Sequence, residues 1–227
     1  MIVVGVDTSV NFESITVLHN GEVVDQANFR VKSHSPVFIP NLLQILEKNS
    51  ITIDSIDGWG VAIGPGSFTG LRIGLASILG ITFRRDVPVV GVITLRAMAL
   101  STGREGYISP VIDARKGEIY TALYRVEGKK ISVVKEERVI NPAKWLEMLP
   151  NEEIYMTGDG LTRYGDILLS RDNLVKVEVV KPVSYGVAII AVEEIKRGYR
   201  GKPVEPFYIR KSDAEINFEK KKREKIE

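Results

Sequence analysis

Met1-Ile2-Val3-Val4-Gly5-Val6-Asp7-Thr8-Ser9 and Tyr107-Ile108-Ser109-Pro110-Val111-Ile112-Asp113 are the two segments whose comparison decides the fold. Each is a short run rich in β-branched residues that ends on an aspartate, the pattern of a buried strand closed by turn formers. The residues after each aspartate are also alike. Residues 15–18 and 22–31 read as two strands joined by His19-Asn20-Gly21, where Asn-Gly supplies the positive φ angles of a tight hairpin. Residues 119–124 and 131–138 read as strands in the same places after Asp113.

The alternation of helix and strand then continues in both copies. Ser35-Pro36 is an N-cap and first helical residue for a helix reaching about Lys48. Residues 59–63 read as a strand ending at Gly64-Pro65-Gly66, residues 69–83 as a helix, 87–92 as a strand and 94–101 as a short helix. In the second copy Asn141-Pro142 opens a helix to about Leu149, residues 154–156 form a strand ending at Gly158-Asp159-Gly160, and residues 184–196 close with an amphipathic helix. The order is β-β-β-α-β-α-β-α, followed by a shorter and more degraded repeat. This gives an α/β chain with a first unit at 1–102, a reduced second unit at 103–211 and a charged tail at 212–227. The tail carries Lys220-Lys221-Lys222-Arg223, a run that reads as a solvated end or as a contact for RNA phosphate.

Composition narrows the field. The 227 residues hold 31 basic and 29 acidic side chains, too balanced for a dedicated nucleic-acid binder. Cysteine is absent, which removes disulfides, thiolate metal sites and thiol nucleophiles and fits a reducing compartment. No signal-peptide pattern and no apolar run of the ~20 residues needed to span a bilayer is found, so a cytoplasmic location without a membrane is expected.

Gly64-Pro65-Gly66-Ser67-Phe68-Thr69-Gly70-Leu71-Arg72-Ile73-Gly74 is the most distinctive motif. A glycine-rich strand-to-helix turn can offer backbone amides to an anion, so Gly64 and Gly66, with Asp7, Thr8 and Ser9, are candidate nucleotide contacts. The motif matches neither a P-loop nor a nucleophile elbow, and a plain tight turn explains it as well. The helix after it has one charge, Arg72, between residues 69 and 83. Leu71, Leu75, Ile78 and Thr82 make one stripe, and Ile73, Ala76, Leu79 and Phe83 make another, so both sides require dry surroundings. Gly70 and Gly74 leave a flat strip for a close-approaching backbone.

The first helix is also rich in apolar residues. We therefore expect a partner interface at Phe38, Leu42, Leu46, Leu71, Arg72, Gly74, Leu75, Ile78 and Leu79, against the alternative that the two copies cover each other there. On the first reading, Leu75→Glu or Ile78→Glu disrupts pairing and spares the fold.

Catalytic groups are sparse. His19 and His34 form no helical metal pair. Asp7 and Asp113 occupy positions that could carry a magnesium carboxylate or base, although turn aspartates are commoner. Around Asp113, the sequence Ala114-Arg115-Lys116-Gly117-Glu118-Ile119-Tyr120 reads as an ion-paired hairpin. No catalytic or metal-ligating residue is assigned.

Val6-Asp7-Thr8-Ser9, the Gly64 to Gly74 segment, Val111-Ile112-Asp113-Ala114-Arg115-Lys116-Gly117-Glu118-Ile119-Tyr120 and Pro206-Phe207-Tyr208-Ile209-Arg210 together resemble the TsaB family, also called YeaZ, over nearly the whole chain. His34-Ser35-Pro36 departs from its usual His-Ser-Glu. The resemblance implies a duplicated fold of the actin, Hsp70 and sugar-kinase type, which is ribonuclease H-like. It also implies a non-catalytic scaffold for N6-threonylcarbamoyladenosine modification of tRNA. The partners it implies are the catalytic subunit TsaD and the ATPase TsaE, with homodimers in isolation and with tRNA engaged indirectly. No intrinsic cofactor is implied; a nucleotide at the partner joint stays open. The alternative is a stand-alone ATP-dependent transferase or phosphotransferase that uses Asp7 and the Gly64 turn.

Overall fold

A computed structural model describes residues 1–10, 12–30, 38–201 and 203–210. His34, the expected helix start at Ser35-Pro36 and the charged tail with Lys220 to Arg223 lie outside them.

The two copies are built alike. The first runs β1 (Ile2–Asp7), β2 (Phe12–His19), β3 (Glu22–Arg30), α1 (Phe38–Lys48), β4 (Gly58–Gly64), α2 (Phe68–Thr82), β5 (Val89–Ile93) and α3 (Thr94–Ser101), with a single 3-10 turn at Ile53–Ser55 before β4. The second runs β6 (Gly106–Asp113), β7 (Ile119–Glu127), β8 (Lys130–Ile140), α4 (Pro142–Met148), β9 (Ile154–Thr157), α5 (Gly160–Leu168), β10 (Leu174–Lys176) and α6 (Val183–Lys196). Strand orders correspond: β3-β2-β1-β4-β5 in one sheet and β8-β7-β6-β9-β10 in the other. β1 pairs antiparallel with β2 (Asp7 opposite Ser14) and parallel with β4, and β6 repeats both relations with β7 and β9. The second copy keeps all five strands, and only its last two, β9 and β10, are shorter than their counterparts β4 and β5. Its α5 and the three-residue β10 are not among the elements expected from sequence, because Tyr164 is non-helical inside α5 and three residues carry no period.

The layers explain the composition of the helices. On one face of the first sheet, Phe38, Leu42, Ile45 and Leu46 of α1 and Leu75 and Ile78 of α2 pack against Val4, Val6, Ile15 and Trp59. On its other face α6 lies so close that a Cβ on Gly60 would come within 2.9 Å of Ala191 and Val187. A Cβ on Gly5 would run into the Ser184 carbonyl. Helix α3 packs against β6 and β7 of the second sheet, and α3 and α6 touch where Gly186 meets Ala97. Both closing helices are thus clamped between the sheets. That is why α6, expected to be amphipathic, buries Ser184, Gly186, Val187, Ala188, Ile189, Ala191 and Val192 instead of showing one wet face. Trp145, Leu149, Leu161 and Leu168 of α4, α5 and the residues after them close the far side of the second sheet.

Polar pairs pin the joint. Thr16 and Ser184 hydroxyls meet at 2.8 Å, and Arg96 of α3 donates to Glu137 of β8 at 2.7 Å, where Tyr124 also donates at 2.8 Å. Burial pushes the Glu137 carboxyl up, but these two donors outweigh it and hold the group below its ordinary value.

Candidate partner-docking face

The turn after β1 and the start of α2 form one packed unit. Ser67 caps α2, its hydroxyl accepting from the Gly70 amide at 3.2 Å, and its own amide donates to the Ser9 carbonyl at 2.7 Å. Thr8 Oγ1 donates to the Gly70 carbonyl at 2.7 Å. A Cβ on Gly66 would strike the Ser9 carbonyl, one on Gly70 the Thr8 carbonyl, and one on Gly74 the Thr8 hydroxyl. The glycine strip is therefore needed because the chain's own 7–9 turn lies against it. The close-approaching backbone expected at this strip is the chain's own Thr8.

This packing bears on the nucleotide suggested at Asp7, Thr8, Ser9, Gly64 and Gly66. Asp7, Thr8 and Ser9 are no more than 6% exposed, and the Ser9 amide donates to Asp7 Oδ1 at 2.9 Å. Over Gly64 lies the carbonyl of Phe207, where a Cβ would come within 2.7 Å. These residues do not fit a phosphate, because α2 and the 203–210 segment occupy the space it would need. Burial instead pushes the Asp7 carboxyl up to about 6, against the Ser9 hydroxyl and amide that pull it down, and Oδ2 has no partner among the described residues. A 370 Å³ cavity does open between the lobes, between Phe12 and Asn28 on one side and Thr157, Lys176 and Lys181 on the other, but the Asp7 turn does not line it.

Asp113 differs from Asp7. It is half-buried and takes Arg115 and Arg163 guanidinium groups at 3.5 and 3.4 Å, while its own amide donates to Asp159 Oδ1. The ion-paired hairpin expected there is present, and Arg210 also reaches it through Glu118. Among the described residues no cluster of three His, Asp or Glu side chains is placed to hold a metal ion.

The expected interface divides by helix face. Phe38, Leu42, Leu46, Leu71, Leu75 and Ile78 are at most 7% exposed and Gly74 is buried, so these residues belong to the chain's own core. The expectation that Leu75→Glu or Ile78→Glu spares the fold is corrected accordingly. Arg72 and Leu79 remain outside. The apolar surface that stays open is the other stripe of α2: Ile73 (40% exposed), Ala76, Leu79 (38%), Gly80 and Phe83 (84%), with Phe68 at its start. Helix α1 adds Leu43. Phe68 and Phe83 are not among the expected interface residues. Phe83 belongs to the second stripe, and its phase alone is signal enough to include it.

Two five-stranded mixed sheets of matching order, with the two closing helices in contact between them, define the duplicated α/β class shared with actin-like ATPases and sugar kinases. At the level of fold, ROK hexokinase from Thermus thermophilus superposes with a TM-score of 0.50 at 12% identity, covering 87% of this chain and all of that one. YeaZ from Pseudomonas aeruginosa superposes with a TM-score of 0.78 at 22% identity, covering 91% of this chain and 99% of that one. The family model described as TsaD, tRNA N6-adenosine threonylcarbamoyltransferase, matches residues 28–218. The Bacillus subtilis tRNA threonylcarbamoyladenosine biosynthesis protein TsaB is 31% identical over 156 residues, 67% of this chain and 68% of that protein. The chain belongs to the TsaB/YeaZ family within this group. No helix of the described residues is long and apolar enough to cross a membrane.

Proposed function

We propose that the chain is a non-catalytic subunit of the machinery that makes N6-threonylcarbamoyladenosine in tRNA, and that it docks a TsaD-type catalytic subunit on the outer stripe of α2. The observation that carries this reading is that stripe: Ile73 and Leu79 on a helix with no charged residue after Arg72, continued by an almost fully exposed Phe83 at its C-cap. An apolar strip of this kind in water is the usual mark of a protein contact. The TsaB names of the relatives and the TsaD-type family model support a partner of that kind, and the filled Asp7 turn supports a scaffold role over phosphoryl or acyl transfer by this chain. TsaE joins the same assembly, tRNA is engaged through it, and a second copy covers α2 when the catalytic subunit is absent. The pairing and the modification both take place in the cytoplasm.

Ile73→Glu and Phe83→Glu test it. Each places a charge on the outer stripe and leaves the core alone, so the isolated variants keep their thermal stability. Burying that charge at a dry contact costs several kcal/mol, and binding to the TsaD-type subunit in calorimetry falls by about 100-fold or more. tRNA modification by the reconstituted enzymes falls with it. Parental affinity in both variants would refute the docking face.

A further inference from the structure

The segment from Pro203 to Arg210 forms no strand or helix, yet it touches both lobes in turn. Val204 covers Gly91 of β5, where a Cβ would come within 2.7 Å of its side chain. Phe207 donates its amide to the Ile63 carbonyl at 2.7 Å. Next, the Tyr208 ring lies 5.3 Å from that of Phe68, and its hydroxyl accepts from Arg72 Nε at 3.3 Å. Arg72 in turn holds its guanidinium 3.8 Å over the Phe68 ring. Phe68 and Arg72 are the first turns of α2, at the N-terminal end of its outer stripe.

Two residues later the segment reaches the second lobe. Arg210 donates through Nη1 to the Ala114 carbonyl at 2.7 Å and through Nη2 to the Glu118 carboxylate. Ala114 and Glu118 are the two ends of the loop between β6 and β7, and the Ala114 amide donates to the Glu118 carbonyl at 3.0 Å. Inside that loop Arg115, Lys116 and Gly117 all have left-handed backbones, with φ of 62°, 54° and 80°. For the two that are not glycine, this conformation crowds Cβ against the following carbonyl oxygen. It therefore persists only when the surroundings hold it. Arg210, clasping both loop ends, is such a hold.

We propose that this segment is a strap, with Tyr208 and Arg210 as positioning residues that couple the docking end of α2 to the 114–118 loop of the other lobe. A partner seated on α2 tightens that loop, and loosening the loop weakens the partner's seat. The proposal rests on the docking reading above and adds to it a contribution of the second lobe to affinity. Reciprocity is required: if the loop's state alters partner binding, partner binding alters the loop's state by the same free energy.

The test uses the full chain and the purified TsaD-type subunit, with calorimetry for affinity and hydrogen exchange at the Ala114 and Glu118 amides for the loop. Tyr208→Ala and Arg210→Ala each weaken binding by about tenfold, within the usual span of couplings between sites. In the parent, adding the partner slows exchange at both amides; in Tyr208→Ala it does not. Tyr208→Phe keeps the stacked ring and restores most of the effect, whereas Arg210→Lys, with one point donor in place of a fork, does not. Affinities within twofold of the parent for Tyr208→Ala and Arg210→Ala, or amides indifferent to the partner in the parent, overturn the strap even though Phe83→Glu still abolishes pairing. If Ile73→Glu and Phe83→Glu both pair normally, the docking reading fails and the strap falls with it. Should Arg210→Ala not fold, Tyr208→Ala and its phenylalanine rescue decide the matter.

Discussion

Helices α1 and α2 are neighbours on the same sheet and carry similar amounts of apolar side chain, but they spend it differently. In α1 Phe38, Leu42, Ile45 and Leu46 point into the core, and the outer side, Leu43 apart, is Pro40, Gln44, Glu47 and Lys48, an ordinary solvated face. In α2 the core takes Leu71, Leu75, Ile78 and Thr82, and a second apolar stripe still faces water. The comparison separates two questions that apolar content alone merges. How greasy a helix is says that something must cover it; only the phase of the stripe says whether the covering is the chain's own sheet or another molecule.

The sharpest way to break this distinction is to place the same charge on both sides of α2. Ile78 is fully buried against the sheet, so Ile78→Glu leaves a carboxylate with no partner in a dry core. A loss of about 4–5 kcal/mol or more is expected, read as a collapse of the urea midpoint. Ile73→Glu, one and a half turns away and 40% exposed, shifts that midpoint by less than about 0.5 kcal/mol. Similar losses for both would erase the inner and outer faces.

Glycines sharpen the same contrast with no charge at all. Gly70→Ala drives a methyl group into the Thr8 carbonyl, a rigid backbone atom, and is expected to cost about 3 kcal/mol as α2 is pushed off the turn. Full stability in Gly70→Ala would mean that α2 and the turn are not held together as described.

Beneath α2, Asp7 gives the comparison a pH dependence. Its folded value of about 6 lies above the ordinary 3.8, so the native state binds the proton more tightly than the unfolded chain. The stability associated with the neutral carboxyl is complete below pH 4 and is lost as pH rises through 6. The distance from 3.8 to about 6 corresponds to about 3 kcal/mol. Asp7→Asn keeps an oxygen for the Ser9 amide and carries no charge, so the variant gains on the parent between pH 4 and 8, by at most about that amount. A flat difference in melting temperature across this range would show that Asp7 is not held neutral by burial.

How far the sequence can be read comes down to the same physics. The repeat is legible because Asp7 and Asp113 close strands of the same composition and because Asn20-Gly21 forces a hairpin, with φ of 54° and 85° as required. The two stripes of α2 are legible as a period. Which stripe lies inside is not, because that depends on the register of α2 over β4 and β1, a long-range fact. Gly66, Gly70 and Gly74 read equally as room for a ligand or for a partner, since a glycine records only that something comes close, never what. The strap is visible as a motif at Pro206-Phe207-Tyr208-Ile209-Arg210, but its contacts with Phe68 and with Ala114 span 140 and 96 residues. No local period reports such pairs.

The smallest expected effect lies at the other end of the same helix. A Cβ on Gly80 meets nothing within 4 Å, in contrast to the one on Gly70. Gly80 sits inside α2 with an ordinary helical backbone, so Gly80→Ala removes conformational freedom from the unfolded chain and leaves the folded one undisturbed. A gain of about 0.5–1 kcal/mol in the isolated chain is expected, measurable as a small rise in the urea midpoint. Gly80 also lies on the outer stripe between Leu79 and Phe83, so the added methyl group enters the proposed contact. If the partner's backbone approaches α2 there as closely as the Thr8 turn approaches Gly70, the same substitution stabilises the free chain and weakens the pair. Opposite signs in the two measurements would locate the tightest point of the docking face, and equal gains would place the partner's contact nearer Ile73 and Phe68.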